Sequence, residues 1–67
     1  MKVNGKDYLL NILNEKTLNS LLENLKISEK MVVIELNKEI VPKEKYNQVK
    51  LEETDNIEII HFVGGGS

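Results

Sequence analysis

The sequence predicts a two-layer α+β domain in which a single helix packs across one face of a small β-sheet. Three features predict this arrangement. An Asn-Gly pair joins two short apolar runs near the start, one stretch carries leucines at helical spacing, and strand-sized apolar runs follow. With 67 residues, the chain has room for one domain. A domain of this size buries only about 60% of the surface that its unfolded chain exposes.

The composition excludes several kinds of functional site. The chain has no cysteine and a single histidine, His61, which excludes a disulfide framework, a thiolate metal site, a cysteine nucleophile and a multi-histidine metal site. A formal net charge of −2 argues against a general nucleic-acid binder, which needs a basic surface. The longest apolar run, Met31 to Ile34, is too short for a membrane span or a signal peptide. We therefore expect a cytoplasmic protein without metal, nucleic-acid or membrane ligands.

The chain is expected to open with a β-hairpin. Asn4-Gly5 separates Met1 to Val3 from a second strand over Lys6 to Ile12, and an Asn-Gly pair favours a tight turn because both residues tolerate positive φ. Alternation predicts that one face of the second strand carries three side chains, namely Tyr8, Leu10 and Ile12.

One amphipathic helix follows the hairpin. Four leucines at positions i, i+3, i+4 and i+7 form a single stripe, and polar residues occupy the opposite side. Thr17 is the expected N-cap because its hydroxyl can accept a hydrogen bond from a free backbone N–H of the first turn. No glycine marks the end of the helix near Lys26. The stripe consists of Leu18, Leu21, Leu22 and Leu25.

Four later stretches have the pattern of β-strands. The first carries apolar side chains at alternate positions of both kinds, and so on both faces of the strand, which predicts a strand inside the sheet. Asn37-Lys38 offers a tight turn into the second, which Pro42 ends because proline lacks the N–H that a ladder needs. The stretches are Met31 to Leu36, Glu39 to Val41, Val49 to Leu51 and Ile57 to Val63, with a helical turn over Lys43 to Asn47 and Tyr46 covering the core edge.

This order of elements matches the β-grasp, or ubiquitin-like, roll. Such a roll has a mixed sheet of about four to five strands with one main helix across it, and its first and last strands lie side by side and parallel. We expect the β-grasp domain over residues 1–63 and a flexible tail over residues 64–67, because three of the four glycines cluster at Gly64 to Gly66.

Four segments carry a resemblance to a known family. They are Val3-Asn4-Gly5-Lys6, the helix with its cap over Thr17 to Leu25, the block Asn37-Lys38-Glu39-Ile40-Val41-Pro42, and the run from Ile57 through Phe62-Val63 into Gly64-Gly65-Gly66. Together they resemble the ThiS family of sulfur carrier proteins in thiamine thiazole biosynthesis. The resemblance extends over essentially the whole chain, and the Asn-Lys-Glu-Ile-Val-Pro block combined with a terminal strand ending in glycines is its most specific part.

The resemblance implies a carrier that is a protein substrate and not itself an enzyme. In this family, an E1-like adenylating enzyme of the ThiF type uses ATP and magnesium to adenylate the C-terminal glycine carboxylate. A sulfur donor system then converts the acyl-adenylate to a thiocarboxylate, which a ThiG-like thiazole synthase consumes. The resemblance makes Gly66 the reactive end, and Gly64 and Gly65 are expected to thread the partner's site because glycine has no Cβ. No cofactor is expected on the carrier.

Ser67 departs from the family pattern, in which the reactive end is the second glycine of a terminal pair. Either Ser67 is removed to expose Gly66, or the partner tolerates it, or it is a remnant of an engineered linker. We expect that only the chain ending at Gly66 is adenylated.

The last strand also predicts a docking surface. Ile57 and Ile59 share one parity, and Glu58, Ile60 and Phe62 share the other. When the first pair faces the helix, the second set lies on the open face of the sheet, where apolar side chains often mark a partner surface. The docking candidates are Ile60, Phe62 and Glu58, and His61 is expected to be a solvated residue and not a ligand.

Two other functions are compatible with the same fold. One is a MoaD-like sulfur carrier, or a carrier for another pathway. The other is an ubiquitin-like interaction module that is never activated, which would keep the open face without needing the glycines. Deleting Gly65 to Ser67 separates a carrier from a module, because only the carrier loses its function.

Overall fold

The computed structural model describes residues 1–62, which form one five-stranded sheet covered on one side by a helix. The strand order is β2-β1-β5-β3-β4; β1 and β5 are parallel, and the other neighbours are antiparallel. This architecture confirms the predicted α+β roll and its parallel pair of first and last strands. The elements are β1 (Lys2–Val3), β2 (Lys6–Asp7), α1 (Leu18–Leu25), β3 (Val32–Leu36), β4 (Glu39–Ile40) and β5 (Asn56–His61).

The helix α1 has the predicted cap and the predicted buried stripe. The hydroxyl of Thr17 accepts a hydrogen bond from the backbone N–H of Ser20 at 3.2 Å. At the other end, Lys26 adopts a left-handed conformation with φ of 60°, and its N–H reaches the carbonyls of Leu22 and Glu23. The helix therefore ends with a left-handed residue, as glycine-terminated helices do, although no glycine is present.

The core lies between α1 and the inner face of the sheet. Tyr46 belongs to it with only 1% of its surface exposed, so the prediction that it covers the core edge is wrong. Burial raises the pKa of the Tyr46 hydroxyl above its usual value because the charged phenolate is disfavoured away from water. The buried apolar residues are Met1, Val3, Leu10, Leu13, Leu18, Leu21, Leu22, Val32, Ile34, Val41, Tyr46, Leu51, Ile57 and Ile59.

Both hairpins have two-residue turns led by an asparagine. Asn4 and Gly5 have φ of 52° and 84°, and Asn37 and Lys38 have φ of 52° and 74°. Positive φ at both central residues is typical of the turn whose twist matches that of paired strands. The Asn4-Gly5 hairpin and the Asn37-Lys38 turn were both predicted, and both are confirmed.

The two turn asparagines also hold β5 from opposite sides. The side chain of Asn4 accepts from the N–H of Ile59 at 2.7 Å and donates to the carbonyl of the same residue at 3.2 Å. The side chain of Asn37 accepts from the N–H of Asn56 at 2.9 Å, and its backbone N–H donates to the Asn56 carbonyl at 2.7 Å. The asparagine side chains therefore hold the central strand just beyond the ends of its two neighbours, β1 and β3.

The second strand is shorter than predicted. It ends at Asp7, and a 3₁₀ helix forms at Leu10–Ile12. The buried side chains there, Leu10 and Leu13, are three residues apart, which fits a 3₁₀ turn and not the alternation of a strand. The prediction that Leu10 and Ile12 share one face of a strand is therefore wrong, because Leu10 is buried and Ile12 is exposed.

The predicted strand at Val49 to Leu51 is also wrong. Only one isolated bridge, between Thr17 and Lys50, forms there. The Leu51 side chain is buried, and its backbone N–H donates to the carbonyl of Lys16 at 2.7 Å. The burial of Leu51 explains why this stretch has the apolar pattern of a strand, although no ladder of hydrogen bonds to a second strand forms there. A 3₁₀ helix at Lys43–Lys45 confirms the predicted helical turn.

The last strand ends at His61, so its predicted extension reached too far by including Phe62. The predicted domain boundary between residues 63 and 64 lies outside the described residues. Among residues 1–62, no helix has both the length and the apolar character of a membrane span.

Candidate functional site

The central strand β5 separates its side chains onto the two faces of the sheet. Ile57 is fully buried and Ile59 is 6% exposed, and both belong to the core beneath α1. Ile60 is 45% exposed, and Phe62, just beyond the end of the strand, is 50% exposed. The predicted assignment of parities is therefore confirmed, and Glu58 is exposed on the same side as Ile60. Their role in docking stays a prediction.

Neighbouring strands extend the exposed apolar surface around Ile60. The register places Val33 of β3 opposite Ile60 and places Ile40 of β4 opposite Glu35, which in turn lies opposite Glu58. Residues directly opposite each other share a face. We call this surface the open face; it consists of Val33, Glu35, Ile40, Glu58 and Ile60, with Phe62 adjoining it.

Sequence reasoning missed Ile40, which is 67% exposed. Its position follows from the tight turn at Asn37-Lys38, because a two-residue loop fixes the register of the hairpin. The two-residue turn is visible in the sequence. Placing Ile40 from it, however, requires knowing which residue of β3 lies opposite Ile40, and not only whether Ile40 is at an odd or even position.

Two carboxylates of like charge meet in the middle of the open face. Glu35 and Glu58 are directly opposite each other in the antiparallel ladder, an arrangement that is unfavourable between like charges. Within residues 1–62, ion pairs join Lys2 to Asp7 at 3.3 Å and the amino terminus to Glu53 at 3.6 Å. Neither Glu35 nor Glu58 takes part in them, so the open face has an acidic centre with apolar side chains around it.

Phe62 is held at the end of β5 by contacts on two sides. Its backbone N–H donates to the carbonyl of Met31 at 2.9 Å, which continues the pairing of β5 with β3 by one residue. Its ring centroid lies 5.8 Å from Nζ of Lys43. The same ammonium donates to the carbonyl of Val32 at 2.9 Å. The last described residue before the glycines therefore has a defined position on the body.

His61 lies on the opposite side of the sheet from Ile60. Its side chain is exposed, in agreement with the predicted solvated state, and it borders a cleft of about 340 Å³ beside the end of α1. Apolar residues, including Leu25, Ile27 and Ile59, form most of the lining. In the described part of the chain, no group of three His, Asp or Glu side chains is placed to hold a metal ion.

The predicted reactive segment begins at Gly64, two positions after the last described residue. Gly64, Gly65 and Gly66 lie outside them, as does Ser67. The assignments of Gly66 as the reactive end and of Gly64 and Gly65 as the threading residues therefore stay predictions. The described part of the chain ends at Phe62, beside the open face.

Known proteins resemble the chain over nearly its whole length. It is 44% identical over 66 residues to the sulfur carrier protein ThiS of Bacillus subtilis, with 98% of each chain covered. It is 40% identical over 65 residues to a thiazole synthase of Paramagnetospirillum magneticum, a match that covers 97% of this chain and 19% of that protein.

A solved structure and a family model agree with these similarities. The crystal structure of the thiamine biosynthesis protein ThiS from Geobacter metallireducens superposes with a TM-score of 0.78 at 30% identity, covering 97% of this chain and 96% of that one. The model of the ThiS family matches residues 1–66. With the β-grasp fold, the capped helix and the central strand leading to the glycines, these matches show that the chain belongs to the ThiS family.

Proposed function

We propose that this chain is a sulfur carrier of thiamine biosynthesis whose Gly66 carboxylate is converted to a thiocarboxylate. The observation that carries the proposal is the family match over residues 1–66, which runs through the body and the glycines and has Gly66 as its last matched residue. The Bacillus relative named as a sulfur carrier protein supports the same function and favours it over a MoaD-like carrier. The chain acts as a substrate in this proposal, and other proteins supply the catalysis.

The proposed chemistry takes place at one backbone carboxylate. An oxygen of the Gly66 carboxylate attacks the α-phosphorus of ATP in the site of a ThiF-like adenylating enzyme, and pyrophosphate leaves. The outer sulfur of a persulfide on a donor protein then attacks the acyl carbon, and AMP leaves. A second thiolate attacks the donor's inner sulfur, which forms a disulfide and releases the thiocarboxylate. Magnesium and cationic side chains of the partner would stabilise the charge that develops on phosphate. The ATP requirement suits a cytoplasmic carrier.

The proposed role of the body is to dock the glycines correctly. Ile40, Ile60 and Phe62 present apolar side chains on or beside the open face, and Phe62 is the last described residue before the glycines. The unpaired Glu35 and Glu58 favour a partner surface with basic groups at its centre, which would orient and speed the encounter. Apolar burial would then stabilise the complex.

A thiazole synthase is the proposed acceptor of the sulfur. One observation supports this partner: a single polypeptide named thiazole synthase contains a stretch that matches 97% of this chain. A carrier-like segment within the same chain as the synthase would hold the two at high effective concentration. We propose that the body of this carrier docks on a thiazole synthase in the same way.

ATP–pyrophosphate exchange with the cognate adenylating enzyme tests the reactive end. We compare three chains, ending at Gly66, ending at Ser67, and lacking Gly65 to Ser67. Exchange is expected only with the first, because the other two do not present a Gly66 carboxylate. Equal rates for the chains ending at Gly66 and Ser67 would contradict the assignment. Exchange by none of the three would contradict the carrier function and favour an interaction module.

Intact mass spectrometry of the protein from its native host tests the product. We expect a species ending at Gly66 whose mass exceeds the unmodified value by the difference between a sulfur and an oxygen atom. A population that keeps Ser67 and never gains sulfur, in cells that are making thiamine, would contradict the proposal.

A further inference from the structure

Lys43 is the cation that joins the end of β5 to the body of the domain. Its Nζ lies 2.9 Å from the carbonyl oxygen of Val32, 5.8 Å from the centroid of the Phe62 ring and 6.0 Å from that of Tyr46. Both ring distances are within the range in which an ammonium is attracted to an aromatic face. One charge therefore contacts an edge of β3, a core residue and the last described residue of the chain.

The position of Lys43 is fixed by its own turn. The N–H of Lys45 donates to the carbonyl of Pro42 at 2.9 Å, and the N–H of Tyr46 donates to the carbonyl of Lys43 at 3.1 Å. Tyr46 anchors the turn because its side chain is buried in the core. Lys43 thus extends from a rigid support, so its ammonium reaches Phe62 from a defined direction.

A free carbonyl on the edge of β3 explains why a lysine occupies this place. The carbonyl of Met31 points towards β5, where it accepts from Phe62, and successive carbonyls of a strand point in opposite directions. The Val32 carbonyl therefore points to the β4 side, where β4 covers only Glu35 and Leu36. The Lys43 ammonium supplies the donor that this carbonyl would otherwise lack, and that bond leaves the charge beside Phe62.

We propose that Lys43 is a positioning residue that holds the Phe62 ring in its docking orientation beside the open face. This inference rests on the proposed function, because it assigns the ring a partner. Phe62 is half exposed, and no other cation is described over its ring. A ring ordered before the encounter loses less conformational freedom on docking. Lys43 acts through Phe62 and not on the reacting carboxylate, so its effect belongs to binding.

Steady-state kinetics with the adenylating enzyme tests this role on the chain ending at Gly66. For K43M, which keeps an unbranched side chain up to the Cε position but removes the ammonium, we expect KM for the carrier to rise about two- to fivefold with kcat unchanged. K45M is the matched control because Lys45 lies in the same turn without a described side-chain contact to either ring, and its KM should stay at the starting value. K43R, which keeps a cation over the ring, should keep KM low.

A double-mutant cycle shows whether Lys43 acts through Phe62. K43M should raise KM in the starting chain but should have no further effect when Phe62 is already alanine. The same rise in both backgrounds would overturn the proposal, as would a fall in kcat alone. Denaturant unfolding of each variant accompanies the kinetics, so that a loss of folded protein is not counted as a loss of docking.

NMR of the free chain tests the contact without any partner. We expect the ε-methylene protons of Lys43 to resonate upfield of those of Lys45 because of the ring currents of Phe62 and Tyr46, and F62A should reduce this shift. A shift that is the same in both lysines would overturn the contact, whatever the enzyme shows. The expected upfield shift of Lys43, found together with no ATP–pyrophosphate exchange by the chain ending at Gly66, would contradict the proposed function, and with it the docking role assigned to Lys43.

Discussion

The two faces of β5 differ in what their side chains do, although they alternate along six residues. On the inner face, Ile57 and Ile59 are buried under α1 and belong to the core. On the open face, Glu58 and Ile60 are exposed, and Glu58 lies opposite another carboxylate. Isoleucine occupies both faces, so residue type alone does not distinguish them.

Under the proposed function, the inner face of β5 serves stability and its open face serves recognition. The inner face contributes the apolar burial that so small a domain depends on. The open face exposes an apolar surface and two unpaired carboxylates to water. Neither the exposed apolar surface nor the pair of like charges stabilises the fold. Substitutions on the two faces should therefore affect different measurements.

Truncation of the two isoleucines should give the largest contrast. Ile57→Ala is expected to lower the free energy of unfolding by about 2–5 kcal/mol, because it removes a fully buried side chain and leaves a cavity. The matched variant Ile60→Ala should lower it by less than about 1 kcal/mol, because nearly half of that side chain is already in water. Urea unfolding measures both values. Similar losses for the two variants would end the distinction between the faces.

A charge on the open face should weaken docking more than folding. For Ile60→Asp we expect the Kd for the adenylating enzyme or the thiazole synthase to rise at least about tenfold, or about 1.4 kcal/mol, because an apolar contact is replaced by a third carboxylate. Isothermal titration calorimetry gives the Kd.

Leu9→Asp is the control for this substitution. Leu9 is 66% exposed but does not belong to the open face, so its variant should bind as the starting chain does. Unchanged binding by Ile60→Asp would show that partners use another surface. A loss of cooperative unfolding would show instead that Ile60 supports the core.

The asparagine clamp on β5 should contribute a smaller amount to stability. Asn4→Asp keeps the acceptor for the N–H of Ile59 but turns the donor into an oxygen that faces the Ile59 carbonyl. We expect the free energy of unfolding at neutral pH to fall by about 1 kcal/mol. Asn11→Asp makes the same change in charge at an exposed position without a described side-chain hydrogen bond, and should have a smaller effect. Equal effects would mean that net charge, and not the clamp, explains the loss.

The successes and failures of sequence reasoning have a common physical origin. The Thr17 cap, the stripe of α1 and the Asn4-Gly5 turn are set by contacts between residues near in sequence, and all three are confirmed. The second strand, predicted over Lys6 to Ile12, ends at Asp7, and the strand predicted at Val49 to Leu51 is absent, because apolar side chains in both places are buried by loops. An alternating pattern reports burial on one side and does not report whether a ladder partner exists.

The candidate site divides in the same way. Parity identified Ile60 and Phe62 as exposed, because alternation follows from strand geometry. Ile40 and Glu35 were missed because they join the open face only through the pairing of three strands. Lys43 was missed because it reaches Phe62 across nineteen positions of sequence through a turn anchored in the core.

The amino-acid sequence alone predicts the α+β class, the helix with its cap and the tight turns, and it contains the cluster of glycines at Gly64 to Gly66. These features depend on local backbone preferences and on periodic burial, which a single chain reveals directly. Three other features follow only from the folded chain: the two carboxylates opposite each other on the open face, the asparagine hydrogen bonds to β5, and the contact of Lys43 with the Phe62 ring. Those contacts join residues far apart in sequence, and their geometry exists only after the sheet has closed around its central strand.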